Sequence, residues 1–190
     1  DLEGMPVVVA DLHSSLPAVL AGLRSPDGAE QPRVVYIMTD GGALPLAYSR
    51  LAAALREAGW LAGTVTAGQA WGGDIEAVSV HNALLAARHV LHADAAVVIQ
   101  GPVNLGTETP WGFSGVACGD AVNAIAALGG RAVACLRVSQ ADARARHRGV
   151  SHHSMTAYGR VALAGADIVV PDMEGELGAQ VRQEAEALCA

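Results

Sequence analysis

This sequence predicts a three-layer α/β sandwich of Rossmann-like build, with a mostly parallel sheet of five or six strands and helices on both faces. Three observations predict it. Short β-branched runs alternate about six times with stretches of helical period, the pattern of βαβ units joined by right-handed crossovers. Nearly every polar or Gly-rich stretch follows directly on such a run: Asp11-Leu12-His13-Ser14 after Val7-Val8-Val9, Thr39-Asp40-Gly41-Gly42 after Val34-Val35-Tyr36-Ile37, Gln100-Gly101-Pro102 after Ala96-Val97-Val98-Ile99, and Arg137-Val138-Ser139 after Ala132-Val133-Ala134. Hydrophobic residues fill 52% of the 190 positions and charged ones 16%, enough apolar surface for one sizeable core and unlike a disordered chain.

The elements follow in order. Strand 6–11 rests on the valine run, and Ser14 or Ser15 caps a helix over 16–24, where Pro17 is tolerated in the first turn. Residues 27–32 read as a loop, and 33–38 as the next strand. A helix over 44–58 carries apolar residues at 44, 47, 51, 54, 55 and 58, with Gly59 placed to stop it. Strand 61–66 follows, then a Gly-rich loop at 69–74 whose Trp71 either walls a pocket or covers the sheet edge. Ser79 caps a helix over 80–92, strand 94–99 follows, and Ser114 caps a helix over 115–128 that ends at Gly129-Gly130. Strand 131–138, a helix over 152–163 capped by Ser151, strand 167–170 and an exposed amphipathic helix over 176–188 complete the chain. Residues 1–190 read as a single α/β domain. The chain opens on Asp1 rather than Met and enters a strand by Pro6, so a fragment of a longer protein with additional N-terminal sequence is the expectation.

Composition narrows the function classes. All twelve basic residues are Arg, and a net charge of -7 disfavours non-specific binding to nucleic acid or to anionic membrane. No apolar run approaches the roughly 18 residues of a membrane span, and the first residues show no basic stretch followed by an apolar one. Cys118, Cys135 and Cys189 are odd in number and widely spaced, which points to a reducing, cytoplasmic setting with Cys118 and Cys135 as small buried hydrophobes. The sequence contains no GxSxG, CxxC or HExxH, so no strong nucleophile signature is present.

Parallel strands end on one edge, and open α/β sheets bind ligands in the crevice there. Four stretches would converge on it. The loop from Gly101 to Gly115 brings glycines to a helix start, an arrangement suited to an anion, although its spacing is neither a Walker loop nor GxGxxG. The bland alternative is a structured loop whose glycines supply positive φ. Arg137, Arg144, Arg146 and Arg148 fall within twelve residues. Arginine's planar fork suits carboxylate and phosphate, while the bland alternative is a helical segment with Arg144 and Arg148 sharing one solvated face. Ser151-His152-His153 places two imidazoles in a helical first turn, where the dipole favours the neutral ring. Adjacent helix positions diverge by about 100°, so both rings are not expected on one metal. Asp40 and His13 end two strands and, with His152 or His153, make an acid-base or metal set if the strand order allows it; Asp-Gly-Gly is equally a turn. His81, His89 and His92 on one helix read as structural or solvated.

The segments Met38-Thr39-Asp40-Gly41-Gly42-Ala43-Leu44-Pro45, Asn104-Leu105-Gly106-Thr107, Trp111-Gly112-Phe113-Ser114-Gly115 and Arg146-His147-Arg148-Gly149-Val150-Ser151-His152-His153-Ser154 together resemble the C-terminal part of an uncharacterised bacterial family, a domain of unknown function. The resemblance implies additional N-terminal sequence and carries no activity.

The functional expectation is an enzyme acting on a small anionic metabolite, a phosphorylated one included. Gly101, Asn104, Gly106, Thr107, Arg137, Arg148 and Ser151 would bind the anion; Asp40, His13, His152 and His153 would supply acid-base chemistry. A divalent metal, if present, would sit among Asp40, His13 and His153. The alternative is a non-catalytic binding or assembly module of a larger protein, and a homo-oligomer through an Ala/Leu helix face fits either. One feature separates the two: an enzyme needs an imidazole-carboxylate pair within hydrogen-bond reach beside the anion site.

Overall fold

The structure is a computed structural model describing residues 1–26 and 29–189; of the expected 27–32 loop, residues 27 and 28 lie outside the described residues. The core is a seven-stranded, wholly parallel sheet of strands β1 (Pro6–Ala10), β2 (Val34–Thr39), β3 (Gly63–Ala67), β4 (Ile75–Ala77), β5 (Ala95–Gln100), β6 (Arg131–Cys135) and β9 (Asp167–Val169), in the order β4-β3-β2-β5-β1-β6-β9. The three-layer α/β sandwich is thus present with one more strand than expected. The addition is β4, a three-residue edge strand following a Gly72-Gly73 turn.

Alternation along the buried strands decides the layers. Val7, Val9, Ile37, Val65 and Val98 face one side, packed against α3 (Val80–His89), α4 (Ala117–Ala127) and the π-type turn Ala157–Val161 that continues α5 (His152–Thr156). Val8, Ala10, Tyr36, Met38 and Ile99 face the other, against α1 (Leu16–Leu23) and α2 (Arg50–Glu57). With few aromatics to fill space, close approach does the packing: a Cβ on Gly119 of α4 would run into the Ala157 carbonyl and the Val161 side chain. Helix α6 (Gly175–Glu186) docks at the end of the chain, its Glu184 Oε2 accepting the Val150 N–H at 2.6 Å.

Caps locate the helix starts. Ser79 and Ser151 cap α3 and α5 by accepting the N–H of Asn82 and His153. Ser15 stands at the α1 cap position, but its hydroxyl donates to the Leu12 carbonyl at 2.6 Å. Ser114 makes no side-chain cap and instead accepts the Leu105 N–H at 3.0 Å. The expected 44–58 helix divides into a short 3-10 turn, Leu46–Tyr48, and α2, whose first turn Ser49 caps at 2.9 Å. After Cys135 the main sheet releases the chain. Val138–Ser139 (β7) and Gly149–Val150 (β8) form a separate antiparallel pair, and the arginine stretch between them holds a 3-10 turn, Ala145–His147, in place of a helix.

Helix α1 leaves β1 on one face, whereas α4 and α5 follow β5 and β6 on the other. The connections out of three neighbouring strands therefore diverge at β1, opening a crevice at its carboxyl end.

Candidate functional site

The crevice is built on Asp11, one residue past β1 and 5% exposed. Its Oδ1 accepts from Asn104 Nδ2 at 2.9 Å and Gln100 Nε2 at 3.3 Å, and its backbone carbonyl accepts from the same Gln100 amide at 2.8 Å. On its other side, His153 Nδ1 lies 3.1 Å and Arg137 Nη1 3.8 Å from Oδ2. A fully engaged buried carboxylate of this kind orients its neighbours. Gly115 makes room for it, since a Cβ there would collide with Oδ1.

His153 donates through Nδ1 to Asp11, which leaves Nε2 as its basic nitrogen. Phe113 stacks flat on the ring at 3.9 Å and 2° and holds its plane. His152 and His147 complete a cluster, with ring centroids 4.5 Å (His152–His153), 4.9 Å (His147–His152) and 4.9 Å (His147–His153) apart. His147 Nδ1 shares a 2.7 Å hydrogen bond with Ser151 Oγ. Among the described residues, Nε2 of both His147 and His152 is buried without a hydrogen-bond partner. Burial, and behind it the charges of Arg137 and Arg144, pulls the His147 ring down to about 4. Burial also lowers His152, with His153 and Arg146 adding to the shift. Both rings are therefore neutral near pH 7, the form that accepts a proton or a metal.

Against these imidazoles lies a cavity of about 340 Å³, lined by Arg137, Arg144 and Arg146 and by the loop of Asn104, Gly106 and Gly112. That loop is a small antiparallel flap: Gly106 bridges Phe113, Thr107 N–H donates to the Gly112 carbonyl at 2.7 Å, and Ser114 N–H to the Leu105 carbonyl at 2.8 Å. Gly101, Gly106, Gly112 and Gly115 all lack positive φ; Gly112 and Gly115 serve close approach instead, to Thr107 and Asp11 respectively. Asp142 braces two of the arginines, bidentate to Arg144 at 3.0 and 3.1 Å and 3.5 Å from Arg137. The Arg144 hydrogen bonds hold its carboxyl well below the usual range. Arg146 is the loosest of the three, its Nη2 lying 4.0 Å from the exposed Glu108.

Of the residues expected at the site, Asn104, Gly106, Arg137, His152 and His153 line this cavity, and Ser151 supports it from beneath His147. The others are placed elsewhere. Asp40 is exposed, and its Oδ1 accepts the Ala43 N–H at 2.8 Å within a turn carried by Gly42 and Ala43 at positive φ. His13 points into the opposite layer. Tyr36 Oη lies within reach of the Ile99 and Gln100 carbonyls, so His13 Nδ1 donates to Tyr36 at 3.0 Å and its Nε2 accepts from Ser49 at 2.7 Å. Gly101 is buried against Gly41, Thr107 bonds Thr109 within the flap, and Arg148 donates to the Asp142 carbonyl at 3.0 Å outside the cavity. Asp40, His13 and His153 therefore share no common centre. Trp71 is 54% exposed, and His81, His89 and His92 lie on the surface. Asp11, Phe113 and His147 have no assigned role in the sequence-based site, although each lies inside a stretch singled out there: Asp11 at the strand end with His13, Phe113 in the Gly101–Gly115 loop and His147 among the arginines.

Parallel sheet, switch-point crevice and convergent polar groups define the class: an α/β protein with a polar cavity at the carboxyl edge of its sheet. The chain belongs to the family described as "Protein of unknown function (DUF3866)", whose match runs over residues 1–190. No curated protein and no solved structure matches it. Among the described residues no helix is long and apolar enough to cross a membrane.

Proposed function

We propose that this chain is an enzyme acting on a small anionic metabolite, phosphorylated compounds included, bound at the carboxyl edge of the sheet. The observation that carries the reading is the Asp11–His153 pair at 3.1 Å, opening on the same cavity as three guanidiniums. The carboxylate fixes the tautomer and plane of the ring, leaving Nε2 to take a proton, while Arg137, Arg144 and Arg146 hold the anionic group. A volume of about 340 Å³ admits a compact metabolite and sits at the small end of ligand pockets. A cytoplasmic setting and a partner list without nucleic acid or membrane accord with the charge of -7.

The test is a thermal-shift panel of inorganic phosphate, phosphorylated metabolites, nucleotides and dicarboxylates, with each hit then assayed for turnover. A ligand at 100 times its Kd contributes about 2.7 kcal/mol, a shift of about 5–10 °C for a chain of this length. The reading expects such a shift, its loss in Arg146→Ala, and turnover that falls in His153→Gln. No shift across the panel overturns it.

A second reading, a binding or assembly module, draws on a different surface. Strand β9 is a sheet edge with Val169 and Val170 exposed at 48% and 39%, beside a cleft walled by Ile168, Pro171 and Cys189. Exposed edges of this kind pair with other chains, and a homo-oligomer would be visible as concentration-dependent mass in sedimentation.

A further inference from the structure

His147, His152 and His153 are the one group of three His, Cys, Asp or Glu residues, among those described, whose donor atoms lie within 4.8 Å of one another. Their chemistry goes beyond acid-base catalysis. His153 Nδ1 is committed to Asp11 and His147 Nδ1 to Ser151, so each ring presents Nε2 as its remaining nitrogen. His152 contributes the buried Nε2 that has no partner, as does His147, which is wholly buried. Two orphaned imidazole nitrogens in one cluster need an explanation, and stacking alone supplies none, because stacking leaves both nitrogens desolvated.

We propose that these three imidazoles bind a divalent transition metal ion of the zinc class, with an open coordination position facing the arginine-lined cavity. Three imidazole nitrogens with one position left over make the arrangement of a catalytic zinc site, and imidazole selects zinc, cobalt, nickel or copper over magnesium or calcium. A carboxylate on the far nitrogen of a ligating ring is the usual outer support of such ions; Asp11 occupies that place on His153, and Ser151 on His147. A tetrahedral ion at about 2.0–2.1 Å from each nitrogen separates its donors by about 3.4 Å, so ring rotations moving each nitrogen by about an ångström bring the present 4.8 Å limit to closure.

Charge accounts for the anion as well. Around the cavity, Arg137, Arg144 and Arg146 face Asp11, Asp142 and Glu108, three positive groups against three negative. A divalent ion leaves this balanced shell with an excess of positive charge, which an oxyanion on the open position neutralises with Arg146 beside it. This last step rests on the anion-binding reading above, whereas the metal site does not.

The experiment uses the untagged chain, stripped with chelator and titrated with Zn²⁺ against a chromophoric competitor, and with Co²⁺ for its visible spectrum. The expected result is one ion per chain and the intense absorption of tetrahedral Co²⁺. Affinity should fall at least 100-fold in His147→Ala and in His152→Ala and about 10–100-fold in Asp11→Asn, with no change in the surface variant His92→Ala. Circular dichroism of each variant verifies its fold, and His152→Ala, at a half-buried position, remains the deciding variant if His147→Ala unfolds. Absence of binding, or equal affinity in His152→Ala, overturns the metal site. Thermal shifts with inorganic phosphate, run with Zn²⁺ and with chelator, separate the two claims. A phosphate shift without metal binding removes the metal and leaves the anion reading. Metal binding with no phosphate or metabolite shift keeps the metal and removes the anion.

Discussion

Replacing Asp11 with Ala should cost this protein more stability than any surface change, and the structure sets the size. The 5%-exposed carboxylate accepts from Asn104 and Gln100 and faces His153 and Arg137. Ala leaves those donors buried without an acceptor. An orphaned buried donor costs about 1–3 kcal/mol, and breaking a buried charge pair from one side about 3–5 kcal/mol. Because these costs share one cavity and overlap, a total near 4 kcal/mol is the expectation, or a fall in Tm of about 8–16 °C for a domain of this length. Asp11→Asn keeps one acceptor oxygen but removes the charge and turns an NH2 donor toward the donors on one side, so it should lose less than Asp11→Ala while still being destabilising. Urea unfolding followed by circular dichroism measures both. A loss below 1 kcal/mol in Asp11→Ala would refute the reasoning, because Asp11 then does not organise the crevice.

Gly115→Ala should lose about 1–3 kcal/mol by forcing its Cβ into the Asp11 carboxylate. Gly22→Ala, inside α1 with open space at its Cβ, should gain about 0.5–1 kcal/mol; chemical denaturation of the two variants checks the contrast. His13 gives a pH prediction. Burial lowers its pKa from 6.5, so the unfolded chain takes up the proton first as pH falls. Its stabilising contribution is therefore complete above about pH 6.5 and declines below it. The urea midpoint should drop less between about pH 7.5 and pH 5 in His13→Gln than in the parent chain, and equal drops would contradict the assignment.

Much of the fold was legible in the sequence because the buried strands are written as β-branched runs, and parallel strands buried on both faces need them. Ile75–Ala77 was not legible: its three residues include Glu76, and only pairing with β3 makes them a strand. The division of the 44–58 stretch turned on Ser49, whose hydroxyl caps α2 at 2.9 Å, a choice that apolar spacing does not reveal. At the site, strand ends located the crevice and brought Arg137 and His153 into it. The Asp11–His153 bond spans 142 positions, which local pattern cannot register. Divergence along a helix argued against His152 and His153 sharing a centre, yet their ring centroids lie 4.5 Å apart: helical spacing fixes where the Cβ atoms point, not where the rings end. His147, delivered from the β7–β8 hairpin, then meets both rings from a second element. Asp40 shows the converse: Gly42 and Ala43 at positive φ fold a strand-end carboxylate into its own turn.

The most direct test of whether the arginine-lined cavity binds an anion is anomalous diffraction from crystals of the chain soaked in selenate, an oxyanion that can be located by its own scattering. The account predicts a selenium peak between Arg146 and the His152–His153 rings, lost in Arg146→Ala. Selenium peaks confined to other surfaces, or none at all at a concentration that saturates exposed arginines, would contradict it.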